Sequence, residues 1–210
     1  MATSGKQVRR SGSFRHRGRR IGLLGGSFNP AHDGHRHISQ LALARLGLDE
    51  VWWLVSPQNP LKSEAGMAPF ESRLESADRI ACDRRIRVSA LEAELGTRYT
   101  ADTLKALQNR YPAARFVWLM GADNLVQMPG WHRWQDLMQA VPVVVFDRPG
   151  FTHRALSGLA AHRFATARLD PRQRRALVTM APPAWVYLRD SHNPVSATQI
   201  RDQQIKRSHI

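Results

Sequence analysis

Two histidines three residues apart, His32 and His35, follow a glycine turn in the run GGSFNPAHDGH at 25–35. The apolar stretch 21–24 lies directly before it. A strand, a glycine turn and the start of a helix, in that order, make an anion site. The first turn of a helix has unpaired N–H groups and a partial positive charge. Histidines at i and i+3 share one helical face, so both imidazoles can reach the same bound group. Gly25 and Gly26 permit a tight turn and a close approach of backbone to phosphate. A Gly-Gly pair behind a strand is, alone, an ordinary turn; with Pro30, His32, Gly34 and His35 following, it reads as a phosphate site. Arg36 and His37 fall outside this spacing and read as surface residues.

A second cluster, SHNPVSATQIR, occupies 191–201. Asn193-Pro194 signals a turn, and Ser196 or Thr198 can open a helix. Thr198 and Arg201 then share a face, placing a hydroxyl and a guanidinium at a second helix N-terminus. By itself this is also the pattern of a capped surface helix.

The elements that must hold these residues alternate. Stretches 21–24, 51–55, 86–89, 116–120, 143–146 and 185–188 read as short buried strands. Stretches 35–46, 70–82, 101–111, 131–140 and 196–206 read as helices. The first places Ile38, Leu41 and Ala42 on one face, the second Leu74, Ala77 and Ala81, and the third Leu104 and Leu107. Thr100 is a candidate N-cap and Pro112 a stop. This order predicts an α/β fold: one Rossmann-like, doubly wound domain, its mostly parallel sheet covered by helices on both faces. Ligands of such sheets bind at the C-terminal strand edge, near the topological switch point. The stretch 152–183 yields no clear periodicity.

With 210 residues the chain can bury a sizeable core. Its one cysteine, Cys82, excludes an intramolecular disulfide and reads as a small core residue; the expected compartment is the cytoplasm. No apolar run approaches the ~20 residues of a membrane span. The net charge is +14, and residues 1–20 supply seven basic side chains and no acid. Removing those seven leaves +7 for the body, 24 basic against 17 acidic residues. The expected organisation is a disordered basic tail, 1–20, ahead of a domain spanning 21–210. Such a tail could contact nucleic acid or another anionic surface, serve as a transit peptide, or have no dedicated role. A nucleic-acid-binding protein is the reading from a different class, and it leaves both phosphate motifs unexplained.

HxGH behind a strand resembles the nucleotidyltransferase superfamily, and VSATQIR resembles its I-S-x-T-x-x-R motif with Val195 replacing Ile. Four further segments narrow the likeness. SPQNPLK (56–62) with ESRL (71–74), RYTADTL (98–104), MGADN (120–124) with WHRW (131–134), and DRPG (147–150) resemble, in order, segments of the bacterial nicotinate-nucleotide adenylyltransferases. That family joins nicotinate mononucleotide to the AMP portion of ATP; the alternative is an adenylyltransferase of the same fold acting on another phosphate acceptor or on nicotinamide mononucleotide, a substrate that differs by one amide for one carboxylate.

The resemblance implies a set of roles. His32, His35 and Arg201 would be catalytic, with His35 facing the α-phosphoryl group. Gly25, Gly26, Ser27, Phe28, Lys62, Asp123, Arg148, Ser196 and Thr198 would bind ATP. Within that set, Lys62 would reach the phosphates, Asp123 with Gly121 would line the ribose pocket, and Arg148 would lie by adenine. Ser196, Thr198 and Arg201 would hold pyrophosphate. Thr100, Trp131 and His132 would recognise the nicotinate ring, Trp131 by stacking. Trp131 and Trp134 could both be helix-face core, the family likeness favouring the site role for Trp131, and Asp102 could be a dipole partner or a ligand contact. Mg²⁺ would ride on the ATP phosphates, with no metal site built from protein. Two positions depart from the family: His132 stands where an aromatic residue is common, and Asn29 where many members have Asp.

Overall fold

The computed structural model describes residues 18–57 and 66–189. Its six strands are β1 (Arg20–Gly26), β2 (Glu50–Val55), β3 (Ile86–Ser89), β4 (Arg115–Gly121), β5 (Val143–Phe146) and β6 (Trp185–Leu188). All adjacent pairs are parallel, in the order β3-β2-β1-β4-β5-β6. The chain winds outward from β1 to β3, then returns to place β4 on the other side of β1. That reversal opens the crevice where doubly wound sheets bind ligands.

The apolar runs explain the sheet. Every residue of β2, β5 and β6 is buried, as a sheet covered on both faces requires. Alternate side chains serve opposite faces. Trp52, Leu54, Trp118, Met120, Val143 and Val145 belong to one core cluster. Trp53, Val55, Val117, Leu119, Val144 and Phe146 belong to the other. Helices α4 (Thr100–Arg110), α5 (Ala122–Gln127) and α6 (Trp134–Ala140) pack Leu104, Leu107, Leu125 and Leu137 into the first. Helices α1 (Asp33–Leu46) and α2 (Phe70–Ala81) pack Ala42, Leu46, Ala77 and Ala81 into the second.

Several local expectations change. Helix α1 begins at Asp33, and its most buried residues are Ser39, Ala42, Leu43 and Leu46, with Ile38 and Leu41 at the margins. Ser39 turns inward because its hydroxyl is used twice, accepting from Trp53 Nε1 (2.8 Å) and donating to the His35 carbonyl (2.8 Å). Thr100 is the first helical residue of α4 rather than its cap; Tyr99 holds the cap position. Helix α6 starts at Trp134, since Arg133 adopts a φ of +52° and interrupts the segment 131–140. Cys82 is exposed, not core: it ends α2 in the left-handed region, with Sγ 2.8 Å from the Arg79 carbonyl.

Arg19 and Arg20 belong to the folded body. Arg20 opens β1 and pairs with Asp49 (3.0 Å), and Arg19 pairs with Glu50 (2.8 Å). Between β3 and α4 lies one turn of helix, α3 (Leu91–Glu94). The aperiodic stretch holds α7 (Thr152–Leu156), α8 (Leu159–Arg163) and three short 3-10 turns, each too brief to write a helical period into the sequence. No helix among the described residues is long and apolar enough to cross a membrane.

Candidate active site

The site gathers at the C-terminal edge of β1, where β1 and β4 part. Gly25 is still within β1, paired with Leu54. A Cβ there would lie 2.5 Å from Trp118 Cη2, so packing explains this glycine without reference to a phosphate. At Gly26 the nearest atom to a Cβ would be 3.5 Å away, an ordinary contact, so nothing in the described chain demands glycine there. Ser27 and Phe28 are buried, and Phe28 sits at φ +48°, a region that costs a bulky residue about 1–3 kcal/mol. The Phe28 ring is held by stacking on Trp53 (centroids 5.1 Å, 19°).

His32 occupies the N-cap of α1, and His35 lies one turn further on. Their rings are 3.8 Å apart. The His32 backbone N–H donates to His35 Nδ1 (3.2 Å), which makes Nδ1 an acceptor and assigns the proton of a neutral His35 to Nε2. Phe28 (4.7 Å) and Trp53 (5.8 Å) flank the His35 ring and fix its plane. Burial drives His32 down from 6.5 to about 4, helped by the positive charge of Arg148 and opposed by Asp33. His32 is therefore neutral at pH 7, a hydrogen-bonding group and not a standing cation. Its Nδ1 is buried with no hydrogen-bond partner among the described residues. Arg36 pairs with Asp33 on the surface (2.9 Å). His37 is only half exposed, with a buried Nε2, so it is not the plain surface residue its spacing implied.

Across the crevice, Asp123 in the first turn of α5 pairs with Arg148, just beyond β5 (2.5 Å). The other carboxylate oxygen, Oδ1, is buried and has no partner among the described residues. Gly121 makes that geometry possible, because a Cβ there would lie 2.5 Å from Asp123 Oδ1. Asp147 steadies Arg148 from behind, accepting from its backbone N–H (2.9 Å), from Thr152 (2.6 Å) and from the Tyr187 hydroxyl (2.5 Å).

The N-terminus of α4, which carries Thr100, meets the segment carrying Trp131 and His132 at a third corner. The His132 ring lies 4.3 Å from that of Tyr99, at 34°. Arg133 bridges Asp102 (3.2 Å) in α4 to Asp136 (2.6 Å) in α6, which ties the two segments together. That pairing gives Asp102 a structural partner. Trp131 is half-buried against the first core cluster, and His132 is exposed. Lys62, Ser196, Thr198 and Arg201 lie outside the described residues.

Sequence reasoning gave no role to Arg73, Asn29 or Tyr99, although all three lie in or beside the quoted motifs. Arg73 left a signal. It stands on one stripe with Ala77 and Ala81, and an arginine on the buried face of an amphipathic helix needs a partner inside.

The cytidylyltransferase-like family model matches residues 23–203. A probable nicotinate-nucleotide adenylyltransferase of Parvibaculum lavamentivorans is 55% identical over 186 residues, 89% of this chain and 92% of that protein. One from Methylorubrum extorquens is 49% identical over 87% of this chain and 98% of its own length. Among solved structures, the Plasmodium falciparum nicotinic acid mononucleotide adenylyltransferase complexed with NaAD superposes with a TM-score of 0.65. At 17% identity, over 87% of this chain and 82% of that one, it speaks for the fold alone. The order of the motifs, the switch-point site and these likenesses agree: the chain belongs to the nicotinate-nucleotide adenylyltransferases of the cytidylyltransferase-like family.

Proposed function

We propose that this site transfers AMP from ATP to nicotinate mononucleotide, giving deamido-NAD and pyrophosphate, by direct in-line attack with no covalent enzyme intermediate. The observation that carries the reading is the imidazole pair at the N-terminus of α1, set where β1 and β4 diverge. The acceptor phosphate is already an anion near neutral pH, its second pKa being about 6, so the reaction needs no general base. The barrier lies in bringing two anions together and stabilising charge on the α-phosphoryl group and the departing pyrophosphate. Positioning and electrostatics supply the rate.

In this reading His35 Nε2–H donates to the α-phosphoryl oxygens as charge builds there. His32, neutral, adds a second hydrogen bond. The turn Gly26–Ser27–Phe28 lets the phosphates approach, and Gly26 is glycine for that reason. Asp123 Oδ1 accepts from a ribose hydroxyl, which gives its buried lone pairs the partner they lack among the described residues. Arg148 borders the adenine. Lys62, Ser196, Thr198 and Arg201 complete the phosphate set. The imidazoles are nitrogen donors and the Asp123 carboxylate is paired with Arg148, whereas Mg²⁺ prefers oxygen and retains water. The ATP phosphates would therefore hold the ion, which would supply positive charge against the leaving group. Thr100, Trp131 and His132 form the acceptor corner. His132 lies beside Tyr99, so Tyr99 can supply the aromatic surface that other members place at the histidine's position.

Pyrophosphate release from ATP and Mg²⁺ tests this with nicotinate mononucleotide, nicotinamide mononucleotide and phosphopantetheine supplied separately. Turnover with the first alone is expected. Comparable turnover with both mononucleotides would remove the ring-carboxylate role from Thr100, Trp131 and His132. Turnover with none would leave the acceptor unassigned.

A further inference from the structure

Arg73 is 2% exposed. A guanidinium so buried ordinarily answers a carboxylate. This one answers carbonyls. Nη1 donates to Ser27 (2.6 Å) and Ser56 (2.7 Å), Nη2 to Pro57 (2.7 Å), and Nε to Ala68 (3.0 Å). The four acceptors come from three segments: the turn after β1, the exit of β2 and the approach to α2. Asn29 joins the first and last of these by a separate route. Its Nδ2 donates to the Gly66 carbonyl (3.0 Å), and its Oδ1 accepts from the Ala68 N–H (3.2 Å). The Ser56 N–H closes the joint by donating to the Gly26 carbonyl (2.9 Å).

We infer that Arg73 and Asn29 are positioning residues for the transfer: together they set the peptide between Ser27 and Phe28 so that its N–H faces the ATP phosphates. This rests on the ATP-using reading of the site. A peptide is planar and trans, so a Ser27 carbonyl drawn to the guanidinium turns the Phe28 N–H the opposite way, away from Arg73. Phe28 at φ +48° needs such holding, because an L side chain rarely adopts that backbone unaided. The charge of Arg73 also acts from beneath. Burial pushes its guanidinium below the ordinary value, with Glu71 opposing, yet an arginine stays protonated. Its positive charge therefore lies under the turn, with no ion pair to a carboxylate among the described residues. The amide at position 29 is specific to this joint. An aspartate could accept from Ala68 but could not donate to Gly66.

The test compares the full chain with Arg73→Lys, Arg73→Met and Asn29→Asp. It reads thermal melting, calorimetric affinity for α,β-methylene-ATP with Mg²⁺, and kcat and KM for both substrates. A lysine ammonium cannot span four carbonyls in three segments, so Arg73→Lys should weaken analogue binding about 10-fold, and Arg73→Met more. Asn29→Asp should weaken it about 5-fold while melting within about 2 °C of wild type. The KM for nicotinate mononucleotide should stay within about twofold in each. Should Arg73→Met not fold, the two milder variants decide. Unchanged analogue affinity in both, or equal rises in both KM values tracking a loss of melting temperature, would overturn the inference and leave a merely structural joint. A wild-type chain that binds the analogue but does not turn over nicotinate mononucleotide would overturn the acceptor assignment and leave this test intact.

Discussion

The two edges of this sheet are built from the same strands and treat charge in opposite ways. At the N-terminal edge, charges are paired. Glu50 is buried and accepts from Arg19 (2.8 Å), Arg87 (2.8 Å) and Trp52 Nε1 (2.9 Å), and Asp49 takes Arg20. The hydrogen bond from Arg20 holds Asp49 below the usual carboxylate range. At the C-terminal edge, apart from the Asp123–Arg148 pair, groups are desolvated without an ion-pair partner among the described residues. Among the described residues the hydrogen bonds of Arg73 go to carbonyls, His32 is pushed down by burial, and Glu92 in α3 is pushed up to about 7 by burial, against a hydrogen bond from Ser56. His32 Nδ1 and Asp123 Oδ1 lack partners among the described residues. An edge that satisfies itself stabilises the fold. An edge that leaves buried polar atoms open among its described residues is where a bound ligand would find its partners.

Substitutions at each edge can break this contrast. His35→Ala should lower kcat at least about 100-fold with a modest change in KM, the signature of a donor used in the transition state. Steady-state kinetics decide it, and near-normal kcat would remove the role. Glu50→Gln should act in the opposite way. It leaves Arg19 and Arg87 without their buried anion and should cost about 2 kcal/mol by denaturant melts, with kcat and both KM values unchanged. A kinetic effect there would mean that the edges are coupled.

Trp131→Ala should raise the KM for the acceptor about 10-fold and leave that for ATP alone. Equal rises would make Trp131 core, not site.

The smallest effect is in pH. Glu92 has a folded pKa raised from 4.5 to about 7, so its contribution to stability is complete below 4.5 and is lost as pH rises through 7. His32 runs the other way. Its folded value falls from 6.5 to about 4, so its contribution is present above 6.5 and is lost as pH falls toward 4. Between pH 6 and 8 Glu92 dominates, and Glu92→Gln should remove about 1 kcal/mol of the decline in stability across that window. Melting curves that keep the same slope in the variant would show that Glu92 is not the titrating group.

The sequence alone determined the strands, because a parallel sheet buried on both faces must be written as short apolar runs. Segments 86–89, 143–146 and 185–188 are strands with those bounds. It also determined where the glycine turn meets His32 and His35, since a glycine turn and two histidines at helical spacing are local patterns. The acceptor role proposed for Thr100, Trp131 and His132 was legible only through the likeness to a family. Tertiary structure decided what depends on residues far apart in the chain. Gly25 is glycine because of Trp118, and Asp123 is paired because Arg148 leaves the next strand beside it. The neutrality of His32 follows from burial and from that same arginine. Arg73 gathers four carbonyls from three segments, and no window of sequence contains all of them. Periodicity and motifs carry local geometry, whereas desolvation, ion pairing and backbone orientation at the site are set by neighbours that only folding brings together.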